Sequence, residues 1–385
     1  MSTQGSPRAV VIGGSLAGLF AGTTLRTIGW DVDIYERSNR DLESRGGGIV
    51  LQPSVVRLLE RIDASTSDLG VRSRFRAILS PRGDGIQKTL APQIQTSWSL
   101  IYGAAKARFP DAHYHRGYEV VAMEQDGTRA SVTFADGSRT SGDLVIGADG
   151  HDSTLRRLLF PGVEPSYAGY LAWRGLVDEA SMPELAREAL HGDFAFASGP
   201  ESHMLGYLIP GPGHDTQEGR RIYNWVWYRP ADPDMLTAVM TDPHGRSRGF
   251  SISEGQLDDA WRRHVYREAT ERLPPAFEAI VHATEAPFAQ AIRDFRLPRM
   301  VQDRAVLIGD AAFVVRPHTA ASTAKAAEDA LALADSLAEH TDIDRALAAW
   351  EPNQLQLGER LFDWGTRAGD HIMFGPARAA TRFAK

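Results

Sequence analysis

The spacing of apolar and polar positions changes period twice near the start of the chain. Arg8 to Ile12 (R-A-V-V-I) is a short β-branched run of the kind buried in a parallel sheet. Gly13-Gly14-Ser15 then interrupts it. From Leu16 to Ile28 the sequence L-A-G-L-F-A-G-T-T-L-R-T-I puts Leu16, Leu19, Phe20 and Leu25 near one helical face, with Gly29 placed to end the helix. Asp31 to Glu36 (D-V-D-I-Y-E) alternates again and finishes on an acid. The pattern predicts a strand, helix and parallel strand.

Two later apolar runs have the same character. Asp143–Ile146 leads into Gly147-Ala148-Asp149-Gly150, and Ala305–Ile308 leads into Gly309-Asp310. Their wide separation predicts a nucleotide domain assembled from distant pieces. Between them, Tyr167–Asp178 and Ile222–Tyr228 are rich in aromatic and β-branched residues, the composition of an antiparallel sheet. Ala320–Leu337 is alanine-rich and proline-free, which predicts one long helix, and the apolar positions beyond Ile343 predict further helices packed on the body. The expected fold class is α/β: a Rossmann-like domain from residues 1–72, 98–165 and 291–338, an inserted antiparallel β-sheet domain from 73–97 and 166–290, and C-terminal helices over 339–385.

Composition narrows the function without choosing it. A chain of 385 residues exceeds the usual size of one core, so two domains are expected. Lysine and arginine total 42 against 49 acids, and a net charge of −7 gives no electrostatic reason to bind nucleic acid or an anionic membrane. There is no cysteine, which removes disulfides, thiolate nucleophiles and thiolate metal sites; redox chemistry would need a bound cofactor. The apolar stretch Ala9–Leu25 is too short for a membrane span and is broken by glycines, so it reads as a strand and turn rather than a targeting signal. A cytoplasmic location is expected.

Gly13, Ser15, Leu16, Ala17 and Gly18 lie between strand and helix, where backbone amides at a helix N-terminus can hold a pyrophosphate. Ser15 stands where the fingerprint has its second glycine. Glu36, followed by Arg37, comes 23 residues after Gly13, the spacing at which an acid hydrogen-bonds an adenosine ribose. This much predicts a dinucleotide.

With the segments Gly147–Arg156 and Gly309-Asp310-Ala311-Ala312 to Pro317, the chain resembles the class A flavoprotein monooxygenases, the group of para-hydroxybenzoate hydroxylase. The likeness runs the whole length. Trp173-Arg174-Gly175, Gly48–Pro53 and Arg316–Ala321 are similar in particular to the branch containing 2,6-dihydroxypyridine 3-hydroxylase. The resemblance implies non-covalent FAD held by the three motifs, including Asp149, Asp310, Ala320 and Ala321, with Asp310 on the ribityl chain. It implies NADH or NADPH as a transient reductant. Two departures stand out: Ser99-Leu100 replaces the family's Ser-Arg, and Ala320, Ser322 and Thr323 replace glycines.

In that family the reduced flavin reacts with O₂ to give a C4a-hydroperoxide, which hydroxylates an electron-rich ring. The protein must position the ring and exclude water. Tyr170, Trp173, Tyr207, Trp225 and Trp227 are candidates to line the ring site, or they could form sheet core. His318, after Pro317, is the candidate to hold or remove a phenolic proton near neutrality; Arg174 could bind an anionic substrate or pair with an acid. His113 and His115 alternate, but no further ligand in sequence makes them a metal site. The expected partners are a small hydroxyaromatic or hydroxypyridine ring and O₂, and a homodimer is allowed for. Two alternatives remain: a flavin-dependent halogenase, echoed by Trp225–Pro230 but with Arg229 in place of isoleucine and no lysine before Lys88, and a non-catalytic flavin-binding protein.

Overall fold

A computed structural model describes residues 6–40, 42 and 47–375. Residues 1–5 of the expected nucleotide domain and 376–385 of the expected C-terminal segment lie outside the described residues. The strands Arg8–Ile12, Asp31–Glu36, Leu144–Gly147 and Ala305–Leu307 join in one six-stranded sheet, parallel throughout except at the edge strand Val301–Gln302. They are buried on both faces, hence the continuous runs of Val, Ile and Leu. The helices Leu16–Thr27 and Ser322–Glu339 pack together on this sheet, so the first helix is buried almost all round.

A second sheet has ten strands, nine of them from residues 48–97 and 166–296 and the tenth Phe313–Val314. Ser166–Asp178 lies within it between Ile222–Pro230 and Phe288–Arg296, antiparallel to both. The expected boundaries at 72 and 291 fall inside the strands Val71–Leu79 and Phe288–Arg296. One face carries the helices Glu184–Leu190, Asp259–Arg272 and Pro275–His282 over a large apolar core. The other looks toward the parallel sheet and forms a wall of the site described below. Because side chains alternate along a strand, each strand serves both faces.

The C-terminal stretch is one helix, Ile343–Phe374, where several were expected. Pro352 lies inside it, and a proline kinks a helix without necessarily ending it when packing holds both sides. The packing here is close: a Cβ on Gly358 would lie 2.6 Å from Phe313, and one on Gly369 would lie 2.6 Å from the Tyr170 hydroxyl. Asp370 from this helix pairs at 2.8 Å with buried Arg316, which also takes Asp294 at 2.6 and 2.7 Å. The helix is thereby tied to both the ten-stranded sheet and the Pro317 turn. No helix among the described residues is long and apolar enough to cross a membrane.

Candidate active site

At the C-terminal ends of the parallel strands lies a cavity of about 310 Å³. Gly13, Ser15, Leu16, Ala17, Glu36, Arg37, Asp149 and Asp310 all line it, from four separate segments of the sequence. Gly13 takes φ +104°, and a Cβ there would meet the Ala148 carbonyl oxygen at 2.4 Å, so the turn has no room for a larger residue. Ser15 begins the helix without a side-chain cap bond. The first helical amides have no intrahelical partners and face the cavity as an anion site. Glu36 is buried and accepts from the Gly14 amide at 2.8 Å and the Ser38 amide at 2.9 Å, which fixes its carboxylate at the cavity wall. A glycine cradle, free helix amides and a fixed acid suit an adenosine diphosphate group.

The far end of the cavity is built by Asp310 and the start of the helix Ser322–Glu339. Asp310 accepts from the Ser322 hydroxyl at 2.6 Å; burial raises its pKa, against the lowering effects of that bond and of Lys325 and Arg293. Behind it the buried pair Lys325–Asp329, at 2.6 Å, sets the loop: the same Asp329 oxygen accepts from Gly309 N at 2.8 Å. Arg156, fully buried, donates to the carbonyls of Ala311 and His151 at 3.3 and 2.8 Å, joining the second and third motifs. Asp149 is largely occupied in the fold, accepting from the Ser153 hydroxyl and from the amides of Thr154 and Leu155 at the start of a short helix.

Ser322 and Thr323 also line a second cavity, of about 210 Å³, so the two share a wall. Its walls are mostly apolar, from Ala172, Leu205, Val226 and Ile292, with Arg174, Tyr207, Tyr228 and Gln290 as polar groups besides Ser322 and Thr323. Arg174 stacks over Phe288 and lies 3.4 Å from Gln290 Oε1, while its Nε has no hydrogen-bond partner among the described residues. Burial pushes the Tyr207 phenol up to about 12, so it remains a neutral hydroxyl at physiological pH. Few polar groups on apolar walls, next to a nucleotide cavity, are what a small ring needs for orientation and dryness.

Comparison with known proteins agrees with this geometry. A family model described as FAD binding domain-like matches residues 167–294. The 2,6-dihydroxypyridine 3-monooxygenase of Paenarthrobacter nicotinovorans is 34% identical over 96% of this chain and 92% of its own. The chain belongs to the FAD-dependent aromatic-ring monooxygenases. The 6-hydroxynicotinate 3-monooxygenase of Pseudomonas fluorescens is 27% identical, over 92% of this chain and 89% of its own. The structure of 2,6-dihydroxypyridine-3-hydroxylase from Arthrobacter nicotinovorans superimposes with a TM-score of 0.91 at 32% identity, covering 96% of this chain and 94% of that one. FAD is the cofactor and NAD(P)H the reductant, and the halogenase reading is not favoured.

Several residues chosen from sequence sit elsewhere in the monooxygenase. Trp173, Trp225 and Trp227 are fully buried on the helix-covered face of the large sheet, away from the ring cavity. Trp173 pairs across strands with Trp227, and the indole nitrogens of Trp225 and Trp227 donate to Thr284 and Ser202 at 2.8 Å. Their strand neighbours Arg174, Val226 and Tyr228 hold the cavity face instead. Gly18 lines neither cavity; a Cβ there would lie 1.8 Å from the Gly13 carbonyl oxygen, so it serves the turn. Ala320 and Ala321 line the ring cavity, with Pro317, and not the nucleotide cavity. Ala320 holds a left-handed conformation, φ +50°.

His318 is also displaced. It lines neither cavity, and its Nε2 lies 2.8 Å from the Tyr170 hydroxyl. Burial, with His203 and Arg316 nearby, depresses its pKa to about 3, against the expectation of a titration near neutrality. Asp33 lies between His113 and His115, at 3.1 and 2.9 Å, an acid their local sequence did not reveal; the described residues contain no cluster that could hold a metal ion. Tyr228, Gln290 and the Lys325–Asp329 pair were missed. Strand alternation, which puts Val226 and Tyr228 on the face opposite Trp225 and Trp227, was the available signal for Tyr228, and a Lys–Asp pair at i, i+4 in an alanine-rich helix was the signal for the last.

Proposed function

We propose that this monooxygenase hydroxylates a small ring already bearing a hydroxyl group, of hydroxypyridine or phenol size, bound as its anion. The observation that carries this is Arg174, a cation whose Nε has no hydrogen-bond partner among the described residues, in a mostly apolar cavity against the nucleotide site. Arg174 is half-buried and has no ion-pair partner among the described residues, so a ligand that supplies the counter-charge is favoured there. Arg174 would bind the ionised oxygen, Tyr207 and Tyr228 would donate to the ring's other polar atoms, and Ala172, Val226 and Ile292 would pack its face. Ionisation of a ring hydroxyl raises the electron density that an electrophilic oxygen donor attacks.

The relatives' names point the same way, since one acts on a dihydroxypyridine and another on a hydroxynicotinate. FAD would extend from Glu36 and Arg37, past the amides of Ser15 to Ala17, to Asp310 and Ser322. Bound there, it supplies hydride acceptance from NAD(P)H and activation of O₂; the chain holds the ring, keeps water out and sets the ring's ionisation. The test is a panel of hydroxypyridines, hydroxybenzoates and larger phenols, following NAD(P)H oxidation and product mass. A gain of one oxygen on a small hydroxylated ring is expected. Turnover confined to large or unhydroxylated substrates, or a halogen in the product, would overturn the proposal.

A further inference from the structure

On the outside of the ring cavity lies a broad groove of about 880 Å³ between the loop 50–53, the helix Pro53–Arg61 and the hairpin of Val71–Leu79 with Ile86–Ser97. Its floor is apolar, from Val50, Pro53 and Ile94, and its walls carry Arg57, Arg72 and Arg74. Arg72 and Arg74 point from the same exposed face of one strand, two residues apart, which places them about 7 Å from each other along it. Neither has an acidic partner among the described residues, whereas Arg57 pairs with Glu328. In a chain of net charge −7 this is a local reversal of sign.

The groove has an inner end. Val50 lines both it and the ring cavity, and the Gln52 side-chain amide donates to the Ala320 carbonyl at 3.4 Å, beside the segment that walls both inner cavities. An anionic molecule held on the arginines therefore has its other end directed to the site of flavin chemistry. We propose that this groove is where NAD(P)H docks, with its pyrophosphate on Arg72 and Arg74 and its nicotinamide end toward Val50. The proposal rests on the monooxygenase reading, which requires a reductant that the chain has no second nucleotide fingerprint to hold. Guanidinium groups suit pyrophosphate oxygens through charge-assisted, forked hydrogen bonds. An exposed site of this kind binds weakly and releases fast, as a reductant that visits once per turnover must.

The test compares the FAD-loaded parent with Arg72→Ala/Arg74→Ala and with Arg72→Lys/Arg74→Lys. Anaerobic flavin reduction is followed at increasing NADH and NADPH with aromatic substrate saturating, and binding of the unreactive NAD⁺ and NADP⁺ is titrated separately. The alanine variant should raise the dissociation constants for both reductants about tenfold or more, with the limiting reduction rate and FAD content unchanged within about twofold. The lysine variant should recover much of the loss, and the salt dependence of binding should flatten in the alanine variant. Unchanged dissociation constants, or a rise for the phosphorylated dinucleotides alone, would overturn the assignment to the pyrophosphate. If the parent oxidises no reductant with any ring, the functional reading itself fails; an active parent with an indifferent alanine variant sinks only this inference.

Discussion

The Tyr170 hydroxyl and Nε2 of His318 share a hydrogen bond of 2.8 Å behind the wall of the ring cavity. Burial raises the tyrosine pKa and lowers that of the histidine, so both partners are neutral and the contact is a hydrogen bond between uncharged groups. Arg316, held by Asp294 and Asp370, sits over the Tyr170 ring and begins the turn that carries His318. The pair therefore joins the strand Ser166–Asp178, the Pro317 turn and the C-terminal helix. It positions the cavity wall.

One consequence is acid sensitivity of the fold. The pKa of His318 is depressed from 6.5 to about 3, and that of His203 to about 4, both chiefly by burial. The unfolded chain then binds more protons than the folded one below pH 6.5, so stability is present above that pH and is lost as pH falls toward the folded values. Between pH 6.5 and 5.5 the two histidines together should cost about 2 kcal/mol. Urea unfolding of the parent and of His318→Gln at both pH values checks this. The variant should lose about half of the pH dependence; an identical dependence would show that His318 titrates normally.

The tryptophans give a second prediction. Trp225 is fully buried on the helix-covered face and bonds Thr284, so Trp225→Ala should destabilise by about 3–5 kcal/mol through the void it leaves. Trp225→Phe should cost far less and leave the KM for the ring and the FAD affinity within about twofold, because the residue is not at the site. Thermal unfolding and steady-state kinetics of the phenylalanine variant separate the two roles. A large KM change in a well-folded protein would return Trp225 to the substrate.

These outcomes show where the sequence was legible. The parallel strands, their glycine turns and Glu36 are local signals: a β-branched run, a residue that must take φ +104°, and an acid at a fixed spacing. The ring site is not local. It depends on which of two faces a strand turns to the flavin side, and residues such as Trp225, Val226, Trp227 and Tyr228 are too uniformly apolar or aromatic for alternation to choose. The pKa of His318 was equally hidden, since its burial comes from Tyr170, Tyr228 and the distant C-terminal helix. Where several C-terminal helices were expected there is one, and glycines at 358 and 369 let it pack closely on the body.

A third prediction concerns Glu36. Its carboxylate holds the Gly14 amide and stands at the nucleotide cavity, so Glu36→Ala should weaken FAD binding about tenfold or more while the protein remains folded. Fluorescence titration of the flavin-free protein with FAD measures it, with circular dichroism as the control for folding. An unchanged affinity would remove Glu36 from the FAD site.

Arg174 carries the prediction closest to the chemistry. Its side chain stacks on Phe288 and reaches the ring cavity, where no acid among the lining residues neutralises it. Arg174→Gln removes the charge while keeping a polar group of similar reach. The KM for an ionisable hydroxylated ring should rise about tenfold to a hundredfold, with FAD content unchanged. Arg174→Lys should recover part of the affinity but not the forked geometry. The pH profile supplies the readout that a merely structural role would not move. If Arg174 favours the ionised ring, kcat/KM in the parent should rise with pH at a value below the free ring hydroxyl's own pKa, and in Arg174→Gln that rise should move up toward it. Peroxide released per NAD(P)H should increase as the ring is held less often in place. A glutamine variant with the parent's KM and pH profile would show that the cavity does not bind its substrate through this cation.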